Sequence, residues 1–404
     1  MLKIKAFRKI ITPDIGIRLA GYGSDVYSNG IHDDLYISGI AFGDERKKKL
    51  LLSYDLLGMD RALVLEIRKN ICKAHGITEE DVVISCTHTH SGPHTRSSTR
   101  KNMRDLEYSK KLVAWSVEAV DGVFENMTAV DVYSYSVNVP DNVNRRVVLP
   151  GNIFAYLPYL RHLQPNAEGI VDQEVGMLFF VEKGGGKLIS SIVNYSAHPL
   201  SSQSSGESSL KITSDYPGVL RNIVERDLGG LCVFVTGACG DLHPRDFECG
   251  FEKTEEMGRH LAVQVVSGFS QALRTKRCKL KDPVLDSRSA TVDLELKRNP
   301  GEKMMPPFRN KKYERAEMHF LRIGDVCFVG VPGELLAEPG LEIKWNSPFR
   351  KTYILYNSTG YLSYMPHANA YVSGGYEVET SQVKQYETFR FVVKTVNELS
   401  RWIK

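Results

Sequence analysis

No apolar run in this 404-residue chain approaches the roughly twenty residues of a helix that spans a bilayer, so no transmembrane segment is expected. No Cys-x-x-Cys pair occurs among the seven cysteines, at positions 72, 86, 232, 239, 249, 278 and 327, which speaks against a disulfide framework or a cysteine zinc site. Cys86, Cys232 and Cys327 lie inside apolar runs, where a thiol behaves as a small hydrophobe, and a reducing compartment fits best. A strong charge of either sign is also missing. The formal net charge of +4 is small for this length and gives no reason to expect a nucleic-acid partner. Lysine and arginine interrupt residues 1–8 where a signal peptide needs a continuous apolar stretch, so a cytoplasmic location is expected unless a leader has been trimmed. Repeats and low-complexity linkers are absent. One large domain over residues 1–404 is the expectation, although the length would allow two.

What is present is an alternation of short apolar runs with amphipathic segments, the pattern of an α/β protein with a layered sheet core and flanking helices. Strands are predicted at 37–42, 49–54, 81–86, 130–136, 175–181, 188–194, 231–235, 290–296, 317–321, 326–331 and 352–356. Helices are predicted at 60–74, 106–125, 217–225, 252–273, 335–344 and 380–402. Asp215 followed by Tyr216 and Pro217 reads as a helix start, with a capping carboxylate and a proline in the first turn. Two long irregular segments, 91–105 and 140–172, have the length of binding loops or lids, with surface decoration as the competing reading. The second carries Asn144-Arg145-Arg146 and an aromatic group of Phe154, Tyr156 and Tyr159.

Chemistry gathers where the apolar runs end. Residues 81–86 run into Thr87-His88-Thr89-His90-Ser91-Gly92-Pro93. If the strand continued, His88 and His90 would point to one face, because side chains at i and i+2 do so. A pair of solvated turn histidines is the plain alternative. The run 188–194 ends in Ala197-His198-Pro199, the run 326–331 in Pro332-Gly333-Glu334, and the run 231–235 in Gly237-Ala238-Cys239-Gly240-Asp241. In open α/β sheets, ligands bind outside the carboxyl ends of strands, so an active site is expected there. Two imidazoles and a carboxylate from separate strands form a common catalytic zinc shell with a position left for water, which makes His88, His198 and Glu334 candidate metal ligands. Taken singly, His198 reads as a core histidine and Glu334 as a helix-start carboxylate.

These endings also occur in the order seen in another group of enzymes. His88-Thr89-His90-Ser91-Gly92-Pro93, Asn144-Arg145, His198-Pro199, Gly240-Asp241, Pro332-Gly333-Glu334 and the tyrosine-rich stretch 361–377 resemble the neutral/alkaline ceramidases. So do Leu19-Ala20-Gly21-Tyr22, Gly30-Ile31-His32-Asp33-Asp34-Leu35-Tyr36 and Ser53-Tyr54-Asp55-Leu56 near the start. The resemblance spans nearly the whole chain and implies one zinc ion held by His88, His198, Glu334 and a tyrosine. Tyr364 takes that place, because the family's catalytic tyrosine follows its ligand by twelve residues and Tyr376, preceding Glu377, stands at that distance. Tyr361 and Tyr371 are weaker substitutes. The resemblance further implies that His90 acts on the scissile carbonyl or on a proton, and that Arg145 and Tyr376 stabilise the substrate oxygen. Arg146 competes with Arg145 for that role, and Asp55 and Asp241 are candidate supports of the ligands.

The implied activity is a zinc-dependent hydrolysis of a linear amide, ceramide or another N-acyl amide, in a small-molecule or lipid substrate. Family members that cleave ceramide are longer and carry an additional C-terminal β-sandwich domain. Here the family's Asn-Arg-Ser becomes Asn144-Arg145-Arg146, and Gly240-Asp241-Leu242-His243-Pro244-Arg245 and Met365-Pro366-His367 also depart from its pattern. These differences spare the expected metal shell and bear on the substrate. Arg96, Arg100, Lys101 and Arg104, with the basic stretch 297–315, suggest attraction of an anion; solvated loops are the simpler reading. Two other functions remain open on sequence grounds: a metal-assisted lyase performing β-elimination on an acidic sugar, and a non-catalytic binding protein stapled by zinc. The lack of cysteine among the candidate ligands weighs against the staple.

Overall fold

The computed structural model describes residues 1–21, 26–44, 46–97, 105–149, 153–156, 169–202, 210–246, 249–297 and 304–403. Arg100, Lys101, Arg104 and Tyr159 lie outside them.

Eight strands form the large sheet: β1 (Lys3–Ile10), β2 (Tyr36–Gly43), β3 (Lys48–Tyr54), β4 (Val82–Cys86), β5 (Thr128–Asn138), β6 (Glu174–Glu182), β7 (Leu188–Tyr195) and β8 (Leu231–Thr236). Their order is β8-β7-β6-β5-β1-β2-β3-β4, with β7/β8 and β3/β4 parallel and the other pairs antiparallel. A second sheet holds β9 (Leu285–Glu295), β10 (Tyr313–Ile323), β11 (Val326–Gly330) and β12 (Lys351–Leu355) in that order, with β11/β12 parallel.

The sheets pack face to face, and helices cover both outer faces. Leu51, Val83, Phe180 and Val233 of the large sheet meet Leu321, Val326, Phe328 and Tyr353 of the small one. On the other side of the large sheet, Leu50, Leu52, Val82 and Ile84 pack on α1 (Arg61–His75) and α2 (Leu106–Ala119). Further along that side, Met177, Phe179, Val193 and Phe234 pack on α3 (Tyr216–Leu228) and α4 (Phe251–Arg274). The outer face of the small sheet, with Met318, Phe320, Cys327 and Val329, is closed by α5 (Ala337–Trp345) and α6 (Glu387–Arg401). Neighbours such as Val82 and Val83 therefore serve opposite layers. That two-sided burial is why these strands read as continuous apolar runs rather than alternating ones.

The expected layered α/β core in one domain is thus present, and all eleven predicted strands are found. β1 was not anticipated. The helix predicted over 106–125 ends at Ala119, and that over 380–402 begins only at Glu387, after a short turn of helix at Tyr376–Thr380. Between them Val383 bridges to Leu296, a tertiary contact that continuous helix would forbid. Asp215 caps α3 as expected, its side chain accepting from Tyr216 N–H at 2.8 Å. No disulfide joins any of the seven cysteines. No helix among the described residues is long and apolar enough to cross a membrane.

At one end of the sandwich the two sheets are stitched together. Tyr356 N–H donates to Thr236 O (3.0 Å), Thr236 Oγ1 to Thr87 O (2.6 Å), and Asn194 Nδ2 to both Val235 O and Ile354 O (3.0 Å each). The carboxyl ends of β4, β7, β8, β11 and β12 converge there.

Candidate metal centre and its surroundings

His88 follows β4, which ends at Cys86, and takes the left-handed backbone region at φ 71°. That conformation disfavours a residue with a Cβ by about 1–2 kcal/mol and persists only where its surroundings impose it. Here they do: His88 N–H donates to Leu56 O at 2.9 Å, and Nδ1 is 2.6 Å from Leu57 O. The expected strand-face geometry of His88 and His90 is therefore not the one found. The two rings still meet, with Nε2 atoms 3.4 Å apart, but a left-handed turn brings them together.

His198 sits just beyond β7, its Nδ1 3.0 Å from Leu242 O. Glu334 sits beyond β11, where Glu334-Leu335 pairs in parallel with Tyr364-Met365. Gly240 makes this approach possible: a Cβ there would lie 2.7 Å from Glu334 O, and its N–H is taken by Leu335 O at 2.9 Å. The turn therefore offers close packing, and that N–H is not available to a ligand.

The three side chains converge. Oε2 of Glu334 lies 3.5 Å from Nε2 of His88 and 3.4 Å from Nε2 of His198, all deeply buried. A nitrogen of each of His88, His90 and His198 falls within 4.8 Å of the others. Backbone carbonyls only accept, so the proton of each neutral ring belongs on Nδ1 and the lone pair on Nε2. Nε2 of His198 is buried and makes no hydrogen bond. Burial holds the basicity of His198 down to a pKa of about 4 and that of His90 well below the ordinary value, each reinforced by neighbouring histidines. Glu334 is kept ionised: burial works to raise its pKa, but His88 and His198 pull it well below the usual range. Two imidazole nitrogens and a carboxylate oxygen pointing at one another form a donor set that a divalent cation satisfies.

Over residues 8–275 the sequence matches the family described as neutral/alkaline non-lysosomal ceramidase, N-terminal. The chain belongs to that family. Two solved structures share the fold of this ceramidase-family chain. One is the neutral ceramidase from Pseudomonas aeruginosa, 17% identical, with a TM-score of 0.79 over 98% of this chain and 73% of that one. The other is described as ceramidase complexed with C2, 16% identical, with a TM-score of 0.77 over 98% of this chain and 74% of that one. At such identity the likeness speaks for the fold alone. Comparison with curated protein sequences gave no match.

Around the centre of this ceramidase-family protein, several tyrosines gather about Glu334. Tyr356 donates to Glu334 Oε2 at 3.3 Å and stands edge-on to His88, ring centroids 5.0 Å apart; Tyr361 donates to Glu334 Oε1. Tyr364 is buried in register with Glu334, its ring 5.4 Å from that of Tyr376. Tyr371 points elsewhere, donating to Val383 O. Tyr356 ends its strand as the other site residues end theirs, and that polar ending was the signal available for it.

Arg145 is buried with its Cζ 5.4 Å from the Tyr364 ring centroid and 5.7 Å from that of Tyr376, which is 49% exposed. Its Nη1 donates to Nε2 of His243 at 2.6 Å, and the His243 ring stands 5.3 Å from that of His198. Nε of Arg145 donates to Glu377 Oε1 at 2.7 Å, while Arg146 grips the other oxygen of Glu377 and Gly374 O. Arg145 thus stands at the centre, and Arg146 ties down the Tyr376 loop. Asp55 does not support a histidine: it holds Arg221 through two bonds of 2.9 and 2.7 Å and accepts from Tyr36 N–H. Asp241 accepts from Ala337 N–H and Asn144 Nδ2, and its carbonyl from Arg145 N–H, which fixes the arginine loop against α5.

Proposed function

We propose that this protein is a zinc-dependent amidohydrolase that cleaves a linear N-acyl amide, a ceramide or a related lipid amide. Membership of the ceramidase family supports the amide bond as the target. One observation carries the metal: two imidazoles, each tied through Nδ1 to a carbonyl, present Nε2 within 3.5 Å of one buried carboxylate oxygen.

His88, His198 and Glu334 would hold one zinc ion per chain, with Tyr364, opposite Glu334 in register, as the fourth group. Bound there, zinc supplies a Lewis acid and makes water more acidic. Hydrolysis breaks the C–N bond and delivers a carboxylate and an amine. We assign His90 to the substrate rather than the metal: kept neutral by burial, its ring can hydrogen-bond the carbonyl oxygen or carry the proton that the leaving amine needs. Arg145 and Tyr376 face the oxygen on which charge develops, Arg145 held in place by Glu377 and His243. Tyr356 and Tyr361 orient the carboxylate of Glu334. The free thiols suit a reducing compartment, and on that ground we place the protein in the cytoplasm.

Metal analysis of the purified protein, paired with a screen of N-acyl amides of varied chain length and head group, tests the reading. The wild type should carry about one zinc per chain, and His198→Ala should carry at least tenfold less and lose hydrolysis. Equal zinc in both proteins, or no amide cleaved, would overturn it.

A further inference from the structure

The large buried arginines of this fold are matched to carboxylates: Arg145 and Arg146 to Glu377, Arg221 to Asp55, Arg68 to Glu317. Arg96 differs. Among the described residues its guanidinium has no carboxylate partner. Nη1 donates to Ser97 O at 3.2 Å, Cζ lies 4.2 Å from the centroid of the Tyr361 ring, and Nε is buried without a hydrogen bond. The expectation of a solvated loop charge does not hold for this residue.

Its position ties it to the metal centre. The phenol on which Arg96 stacks is the one that donates to Glu334. A guanidinium has a rigid fork of donors suited to a carboxylate, and leaving one partly buried without an anion is unfavourable. Stacking on Tyr361 and the bond to Ser97 O hold the group in place but leave Nε without a partner and the fork without an anion.

We propose that Arg96 recognises a carboxylate on the amine part of the substrate, so that the preferred substrates are N-acyl amino acids rather than amides of neutral amino alcohols. The inference rests on the amidohydrolase reading and names the substrate class of the same site. A neutral amine part would leave the Arg96 fork unpaired in the closed complex, whereas a carboxylate forms charge-assisted hydrogen bonds with it. Selectivity of this kind comes largely from the penalty on the analogue that lacks the group.

N-Dodecanoylglycine and N-dodecanoylethanolamine form a nearly isosteric pair that differs in one carboxylate, and they test the proposal on the full chain with its metal. Wild type should favour the glycine conjugate by about tenfold or more in kcat/KM, with the ratio falling as salt is added. Arg96→Met should bring the ratio close to one, chiefly through KM for the glycine conjugate, and Arg96→Lys should fall between. A role in packing alone would lower both substrates together and leave the ratio intact, which overturns the proposal, as does a wild type that treats the two alike. If neither amide is cleaved, calorimetric binding of the same two compounds decides Arg96 separately from the amidohydrolase reading, which the wider amide screen decides. Tighter binding of the carboxylate by wild type but not by Arg96→Met supports it, and equal binding refutes it.

Discussion

Replacing Gly21 by alanine probes the division of labour between His88 and His90 without replacing either. Ala20 N–H donates to Gly92 O at 2.8 Å and Leu19 bridges to Pro93, so the early loop lies along the His90 turn. Gly21, at φ 89°, ends against the ring of His90. An added Cβ would sit 2.5 Å from Nδ1, 2.6 Å from Cγ and 2.9 Å from Cβ of His90. Carbon contacts relax at about 3.5 Å or more, so the ring must move by about 1 Å. Because the clash includes His90 Cβ, swinging the end of the ring aside is not enough. The left-handed backbone adds about 1–2 kcal/mol for alanine, and overpacking about 1–3 kcal/mol. The sum, about 2–5 kcal/mol, is smaller than the stability of most domains, so the protein should fold with a lowered Tm. A displacement of this size in a group that contacts substrate lowers kcat/KM on the order of a hundredfold. The assay combines hydrolysis of the best N-acyl amide, zinc content of the same preparation and a thermal melt. Activity should fall while zinc stays at the wild-type level. Unchanged activity would refute the packing argument, and zinc lost together with activity would show that His90 is a ligand, ending the proposed division.

Two more predictions follow from the buried network. Tyr361→Phe removes the donor to Glu334 Oε1, and zinc affinity measured by chelator competition should weaken by about 10–100-fold; an unchanged affinity would mean that the phenol does not orient the carboxylate. Glu174 governs an acid limb of stability. Burial alone would raise its pKa, yet Lys344, at 2.9 Å, and Lys351 hold it at about 2 against an ordinary 4.5. The folded carboxylate is the weaker proton binder, so its contribution is complete above about pH 4.5 and is lost as pH falls towards 2, by as much as about 3 kcal/mol. Urea unfolding across that window should show a shallower pH slope for Glu174→Gln than for wild type, and parallel curves would remove Glu174 from the account.

Local sequence carried a good part of this structure. β4, β7 and β11 were legible because both of their faces are buried, which forces runs such as Val82-Val83-Ile84. β1 was not, since Lys3, Lys5, Arg8 and Lys9 break up its apolar residues and only its pairing with β2 and β5 makes it a strand. The helical pattern at 380–402 was read too far towards the N-terminus because nothing local reports the bridge from Val383 to Leu296. His88, His198 and Glu334 were identifiable as polar ends of apolar runs, and the layered fold predicts that such ends share one rim. Their convergence to about 3.5 Å was decided only in three dimensions, by a left-handed turn at His88 and by the close approach at Gly240. Arg145 and Arg146 are neighbours in the chain with equal local claims, and the shared clamp on Glu377 separates them. The same holds for Tyr361 over Tyr364 as the donor to Glu334, and for Arg96, read as a loop charge until Tyr361 is seen beneath it. Periodicity and turn chemistry act over a few residues and are written in the sequence, whereas the partner of a buried charge is chosen by the packing of distant segments.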